Sequence, residues 1–171
     1  IPKGIFVCIS GVSGAGKTTI LEQLIEENPK AIVVNQNIIG TTSRGNAVTY
    51  TKTFDYIRQY FSNRSIYDTS DFSFNSKGSC EACNGLGYVI TDMHFINDIR
   101  TPCEICEGKR YKKNILMVKV RGKNISDILD MTVTEACEFF VDDSLIQKKL
   151  KLLEEVGLDY ITLGQPLSTF S

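Results

Sequence analysis

The residues with the plainest chemistry are Gly11-Val12-Ser13-Gly14-Ala15-Gly16-Lys17-Thr18, which fill every position of the phosphate-binding pattern G-x-x-x-x-G-K-[ST]. Glycines in such a loop let the backbone turn tightly and aim its N–H groups at phosphate oxygens, and a following helix adds the positive end of its dipole. Lys17 is then placed to reach the β- and γ-phosphates of a nucleotide such as ATP, and the Thr18 hydroxyl to take one position on a Mg²⁺ ion. Ser13, Ala15 and Thr19 complete the set expected around the phosphates, together with Gly11, Gly14 and Gly16.

A second group of residues is built on sulfur. Cys80-x-x-Cys83 and Cys103-x-x-Cys106 are separated by nineteen residues, the layout of a tetrahedral Cys₄ zinc site closed by two knuckles. Glycine follows each pair, in Asn84-Gly85-Leu86-Gly87 and in Glu107-Gly108, where it lets backbone N–H groups turn toward the thiolates. Cys8 and Cys137 have no such partners and are read as core residues. His94 is the only histidine; because four thiolates already close a zinc shell, it is read as structural or surface-lying rather than as a ligand.

The elements that must position these groups follow from periodicity. Ile5-Phe6-Val7-Cys8-Ile9 reads as a buried strand and Thr19 to Ile25 as a helix, giving the order strand, glycine loop, helix that the phosphate motif needs. Asn28-Pro29 stops that helix, and Ala31-Ile32-Val33-Val34 reads as a second buried strand leading into Gln36. Gln36 is placed either to sense the γ-phosphate or its metal, or to be a solvated loop amide. Arg44 is likewise a phosphate contact or an exposed charge. Phe54 to Phe61 has the apolar spacing of a short helix, and the polar, aromatic composition from Ser62 to Gly78 marks a boundary between a nucleotide core and an inserted module.

Between the cysteine pairs, Tyr88 to Ile96 alternates partly and predicts a β-ribbon. After them comes the one locally basic stretch, Lys109, Arg110, Lys112 and Lys113, continuing with Lys119, Arg121 and Lys123 along the strand-like Ile115 to Val120. Such charges on a metal-stapled ribbon suit a DNA phosphate backbone, or they are a solvated face. Thr132-Val133-Thr134-Glu135 has capping-box spacing for a helix burying Ala136, Phe139 and Phe140. Leu145 to Val156 predicts another, stopped by Gly157.

Length and composition bound these readings. A chain of 171 residues holds one domain and a smaller second one. A net charge of −1 gives no global basic excess, so a nucleic-acid surface has to be local. No apolar run is long enough to span a bilayer, and the first nine residues are too short for a signal peptide, so a cytoplasmic protein without membrane contact is expected. The start at Ile1 without methionine leads us to expect a fragment.

Taken together, the motifs resemble the UvrA family, ATPase subunits that recognise lesions in bacterial nucleotide excision repair and belong to the ABC ATPase superfamily. The resemblance rests on residues 10–18, on Phe72-Ser73-Phe74-Asn75-Ser76-Lys77-Gly78, on residues 80–87, and on Met93-His94-Phe95. It continues through residues 102–111, Asp127-Ile128-Leu129-Asp130-Met131-Thr132-Val133, Val156-Gly157-Leu158 and Leu163-Gly164-Gln165.

The resemblance implies an α/β fold: part of an ABC-type P-loop core over residues 1–65, from the C-terminal nucleotide-binding half. Residues 66–171 would be a helical signature subdomain carrying an inserted zinc-binding β-ribbon at about residues 78–123. Gly11 to Thr18 would be the Walker A loop, Gln36 the Q-loop glutamine, and Cys80, Cys83, Cys103 and Cys106 the zinc ligands. Phe170-Ser171 would open the L-S-G-G-E signature. ATP, Mg²⁺ and Zn²⁺ are the implied cofactors. Double-stranded DNA with lesions, a UvrB-type repair partner and a second copy of the full-length protein are the implied partners.

The Walker B aspartate, its adjacent glutamate and the switch histidine are not found before Ser171, so these residues alone are expected to bind nucleotide weakly without turning it over. The Lys77 to Cys80 spacer is one residue shorter than the usual family form, and Pro166 to Phe170 resembles UvrA-like paralogues too. A role in resistance to DNA-binding drugs therefore stands beside repair. Other classes that would pair some of these features are a small-molecule P-loop kinase with a zinc-stapled lid and a non-catalytic zinc-ribbon interaction module.

Overall fold

Side-chain caps fix where most of the helices begin. The computed structural model describes residues 4–34, 44–93 and 96–169, and the chain clusters into two compact units, Ile1–Asn37 and Ile38–Ser171. In the first, α1 (Lys17–Glu27) starts after Gly16, a left-handed residue with φ 78° and no side-chain cap. It ends where the Asn28 amide nitrogen donates to the Leu24 carbonyl at 2.9 Å, and Pro29 cannot continue it.

No residue of α1 is buried. The runs expected as buried strands, Ile5 to Ile9 and Ala31 to Val34, form no strand, and Phe6 and Ile32 are each 94% exposed. A strand needs a neighbour to take its N–H and C=O groups, and among the described residues these runs have none. Cys8, expected in the core, is exposed for the same reason.

In the second unit, Asn46 and Thr49 exchange backbone and side-chain hydrogen bonds to open α2 (Ala47–Tyr50), and α3 (Thr53–Ser62) follows. Further on, β1 (Tyr88–Met93) and β2 (Ile96–Pro102) pair antiparallel with Tyr88 opposite Pro102 and Ile90 opposite Arg100. Then come α4 (Lys113–Leu116), α5 (Ile125–Leu129), α6 (Val133–Phe139) and α7 (Ser144–Glu155), and a 3₁₀ turn at Leu167–Thr169. Asn124 with Asp127 and Thr132 with Glu135 form capping boxes on α5 and α6, and Asp143 caps α7. Such caps contribute about 1 kcal/mol each.

The core is a chain of aromatic rings closed by aliphatic side chains. Phe54 packs on Phe74 with centroids 5.3 Å apart, Phe61 on Phe72 at 5.5 Å, and Tyr60 edge-on to Phe140 at 5.0 Å. Ile57, Ile125, Ile128, Ile146, Leu150 and Leu163 fill the space between them and are fully buried. At about 1.5–3 kcal/mol for each large side chain removed from water, this cluster holds the second unit together. Phe72 and Phe74 lie in the polar stretch read as a boundary, yet they share one core with α3.

Ile115 to Val120, read as extended, begins in α4, and Val120 pairs with Lys123 across a turn where Arg121 and Gly122 have φ 49° and 80°. Ile115, Leu116, Val118 and Val120 pack on the helical core, so their burial is achieved without a ladder.

Candidate metal centre and nucleotide loop

Loop conformation places the lysine of the phosphate motif. Gly14 and Gly16 adopt φ 81° and 78°, a left-handed backbone that glycine takes without steric cost. The turn is drawn in by Ala15 N–H donating to the Val12 carbonyl at 3.3 Å. The Lys17 ammonium bends back over it and donates to the carbonyls of Gly11 at 2.8 Å and Val12 at 2.7 Å. Gly11, Ser13, Gly14, Ala15, Gly16, Thr18 and Thr19 are all exposed around it. The start of α1 thus combines a helix N-terminus, left-handed glycines and an ammonium, a donor set suited to an anion.

The four cysteines come together. The sulfurs of Cys80, Cys83, Cys103 and Cys106 all lie within 4.8 Å of one another and all four residues are buried; the Cys83 and Cys106 sulfurs are 3.7 Å apart. Two similar turns deliver them. Asn84 and Gly85 follow the first pair with φ 49° and 76°, and Glu107 and Gly108 follow the second with φ 53° and 81°.

Gly87 N–H donates to the Cys83 sulfur at 3.3 Å. Backbone bonds cross-tie the knuckles, Cys80 N–H to the Arg110 carbonyl at 2.8 Å and Cys103 N–H to the Gly87 carbonyl at 2.9 Å. Backbone N–H groups of Cys106 and Ile105 pull the Cys103 thiol down to about 7, whereas burial pushes Cys106 up to about 12. Four soft sulfur donors with tetrahedral-site spacing, closed off from solvent, fit a structural Zn²⁺, which would bind them as thiolates and release their protons.

The basic candidates separate once their neighbours are visible. Lys112 is paired with Glu81 at 2.8 Å, and the half-buried Arg110 stacks over Phe74 with its guanidinium carbon 5.3 Å from the ring centre. Lys109 and Lys113 are exposed and, with Lys119, line a groove of about 290 Å³ beside the second knuckle.

Arg44 also has structural partners: it donates from Nη1 to Asn75 Oδ1 at 3.2 Å and from Nη2 to the Asn84 carbonyl at 2.8 Å. Nothing in the sequence signalled this contact, since its partners lie 31 and 40 residues away. Cys137, read as core, is half-buried against the core's edge, with burial pushing its thiol up to about 11. Gln36, His94, Phe170 and Ser171 lie outside the described residues. No helix among the described residues is long and apolar enough to cross a membrane.

No family model matches the chain, but individual proteins do. It is 42% identical over 201 residues to UvrABC system protein A of Aquifex aeolicus, which covers 100% of this chain and 22% of that protein. It is 43% identical to UvrABC system protein A of Thermus thermophilus, over 100% of this chain and 21% of that one. Among solved structures, UvrA2 from Deinococcus radiodurans matches with a TM-score of 0.81 and 39% identity, covering 94% of this chain and 22% of that chain. The chain spans about a fifth of the length of the curated relatives it matches. Homology that runs the whole length of the sequence, with a matching structure, places the chain in the UvrA family.

Proposed function

We propose that the protein carrying this chain is the ATP-dependent damage-recognition subunit of bacterial nucleotide excision repair, the A subunit of the excinuclease, working in the cytoplasm. The observation that carries this reading is the order of parts: a phosphate loop at residues 11–18, a four-sulfur cluster at 80–106 and the turn at Leu167–Thr169, in a chain similar to UvrABC system protein A from end to end.

On this reading the backbone N–H groups of Gly14 to Thr18 and the Lys17 ammonium hold the phosphates of ATP, the Thr18 hydroxyl serves its Mg²⁺, and Gln36 senses the γ-phosphate. Zn²⁺ held by Cys80, Cys83, Cys103 and Cys106 fixes the knuckles from which β1 and β2 emerge. Lys109 and Lys113, which among the described residues have neither the ion pair of Lys112 nor the ring stacking of Arg110, meet DNA phosphates. Lesion-bearing duplex DNA, a UvrB-type protein and a second copy of the full-length protein are its partners. Residues 66–171 act as the signature subdomain and residues 1–65 as part of the ATP-binding core.

ATP hydrolysis by the full-length protein tests the assignment. Addition of duplex DNA is expected to change the rate, and Lys17→Ala to lower it by about a hundredfold or more. An unchanged rate in that variant would contradict the role given to the loop. The similar identities to UvrABC system protein A and to UvrA2, 42% and 39%, favour one second reading, a UvrA-like paralogue acting in resistance to DNA-binding drugs. Loss of repair on deletion separates the two.

A further inference from the structure

The segment from Arg44 to Val48 touches two parts of the second unit that are distant in sequence. On one side is the first knuckle. The Asn84–Gly85 peptide is held at both ends: its carbonyl accepts from Arg44 Nη2 at 2.8 Å, and its N–H donates to the Cys80 carbonyl at 3.2 Å. The other arm of the Arg44 guanidinium donates to Asn75 Oδ1 at 3.2 Å, next to Phe74, whose carbonyl abuts Gly85. One planar fork therefore spans the seam between the knuckle and the segment it rests on, a geometry that a single ammonium cannot reproduce.

On the other side is the segment that leads to the 3₁₀ turn at Leu167–Thr169. Leu167 N–H donates to the Gly45 carbonyl at 3.0 Å, Asn46 pairs with Pro166 in an antiparallel bridge, and Val48 N–H donates to the Leu163 carbonyl at 3.4 Å. Gly164, in the same segment, is seated on α5 by its N–H to the Leu129 carbonyl at 2.7 Å. Asn46 is 1% exposed and caps α2 with Thr49, so the backbone next to Arg44 is fixed in place. In sequence, Arg44 stands eight residues after Gln36.

We propose that Arg44 is a positioning residue that locks the first cysteine knuckle to the segment approaching the signature, so that the two move as one body and the ribbon follows the nucleotide state. This rests on the ATPase and DNA-binding reading given above. Arg44 touches neither phosphate nor DNA in this role; it acts through the Asn84 carbonyl.

The test uses the full-length, zinc-loaded protein with Arg44→Ala, Arg44→Lys and Asn75→Ala, measuring zinc content, ATP kcat and KM without DNA, and the change in kcat on adding duplex DNA. Arg44→Ala is expected to keep its zinc, its KM for ATP and its DNA-free kcat, and to lose about fivefold or more of the DNA-dependent change, the lower end of ordinary coupling between sites. Arg44→Lys and Asn75→Ala, each keeping a donor for the Asn84 carbonyl, are expected to lie between it and the wild type. A DNA response in Arg44→Ala equal to wild type overturns the proposal alone. Loss of zinc and DNA-free turnover together in all three variants overturns it in favour of a purely structural contact. A wild-type protein whose turnover ignores DNA removes the underlying reading and the proposal with it.

Discussion

The carbonyl oxygen of Phe74 lies against Gly85 so closely that a Cβ on Gly85 would meet it at 1.7 Å. The first knuckle can sit on the aromatic core only because that position has no side chain, and its φ of 76° is one that other residues seldom take. Gly85→Ala is therefore expected to cost about 3 kcal/mol or more, combining left-handed strain with overpacking against backbone, and to release zinc. Gly157, with the same φ and nothing within 4 Å of its added Cβ, is the control. Gly157→Ala is expected to cost only the left-handed strain of about 1–2 kcal/mol and to retain the metal. Thermal midpoints and zinc content of the two variants check this.

Tyrosines set an upper pH limit on the second unit. Tyr111 is fully buried, donates its hydroxyl to the Phe72 carbonyl at 3.1 Å, and is held well above the ordinary 10.0 by burial. Tyr60 is raised as well, first by burial and then by its hydrogen bond to Asp142. Because the folded pKa values exceed the unfolded ones, this contribution is fully present below about pH 10 and is lost as the pH rises beyond it, where only the unfolded chain ionises. Denaturant titrations from pH 8 to 11 should show that fall. Tyr111→Phe should flatten it while costing about 1–2 kcal/mol at neutral pH, since the Phe72 carbonyl loses its donor.

The basic groove makes a salt-dependence prediction. Each phosphate contact removed lowers the slope of log affinity against log salt by about 0.9, so Lys109→Ala combined with Lys113→Ala should lower it by about two. Lys112→Ala should leave the slope unchanged, because its charge is already matched by Glu81. Equal effects from both would show that proximity to the knuckles, and not exposure in the groove, decides which lysines meet DNA.

Legibility in the sequence followed the range of the interaction. The cysteine cluster could be read because two short spacings and their glycines determine it. The helices α3, α6 and α7 were legible too, from apolar period and, for α6, from the Thr132–Glu135 box. Where a partner lay far away, reading failed. Ile5 to Ile9 has a strand's composition but no adjacent strand among the described residues, and Ile115 to Val120 has apolar character that a helix and a turn satisfy equally well. The Asn124–Asp127 box on α5 is a local signal of the same kind, whereas Arg44 to Asn84 has no local signature at all.

Metal removal should affect the zinc module and the nucleotide loop differently. Chelation of the full-length protein is expected to abolish DNA affinity and the folded ribbon together, since zinc binding and folding of such a module are linked, while nucleotide affinity at Lys17 persists. The 171-residue segment alone should bind nucleotide weakly and not turn it over, because α1 has no buried residue and Phe6 and Ile32 stand in solvent. Calorimetric titration with nucleotide and a hydrolysis assay of the segment check this, and multiple turnover would contradict it.

ATP-dependent damage recognition is read out by equilibrium binding of the full-length, zinc-loaded protein to lesion-bearing and undamaged duplexes of the same sequence, with and without ATP. Preference for the lesion that depends on ATP and weakens with salt is expected. Equal affinity for the two duplexes in both nucleotide states, or no binding to either, would contradict it.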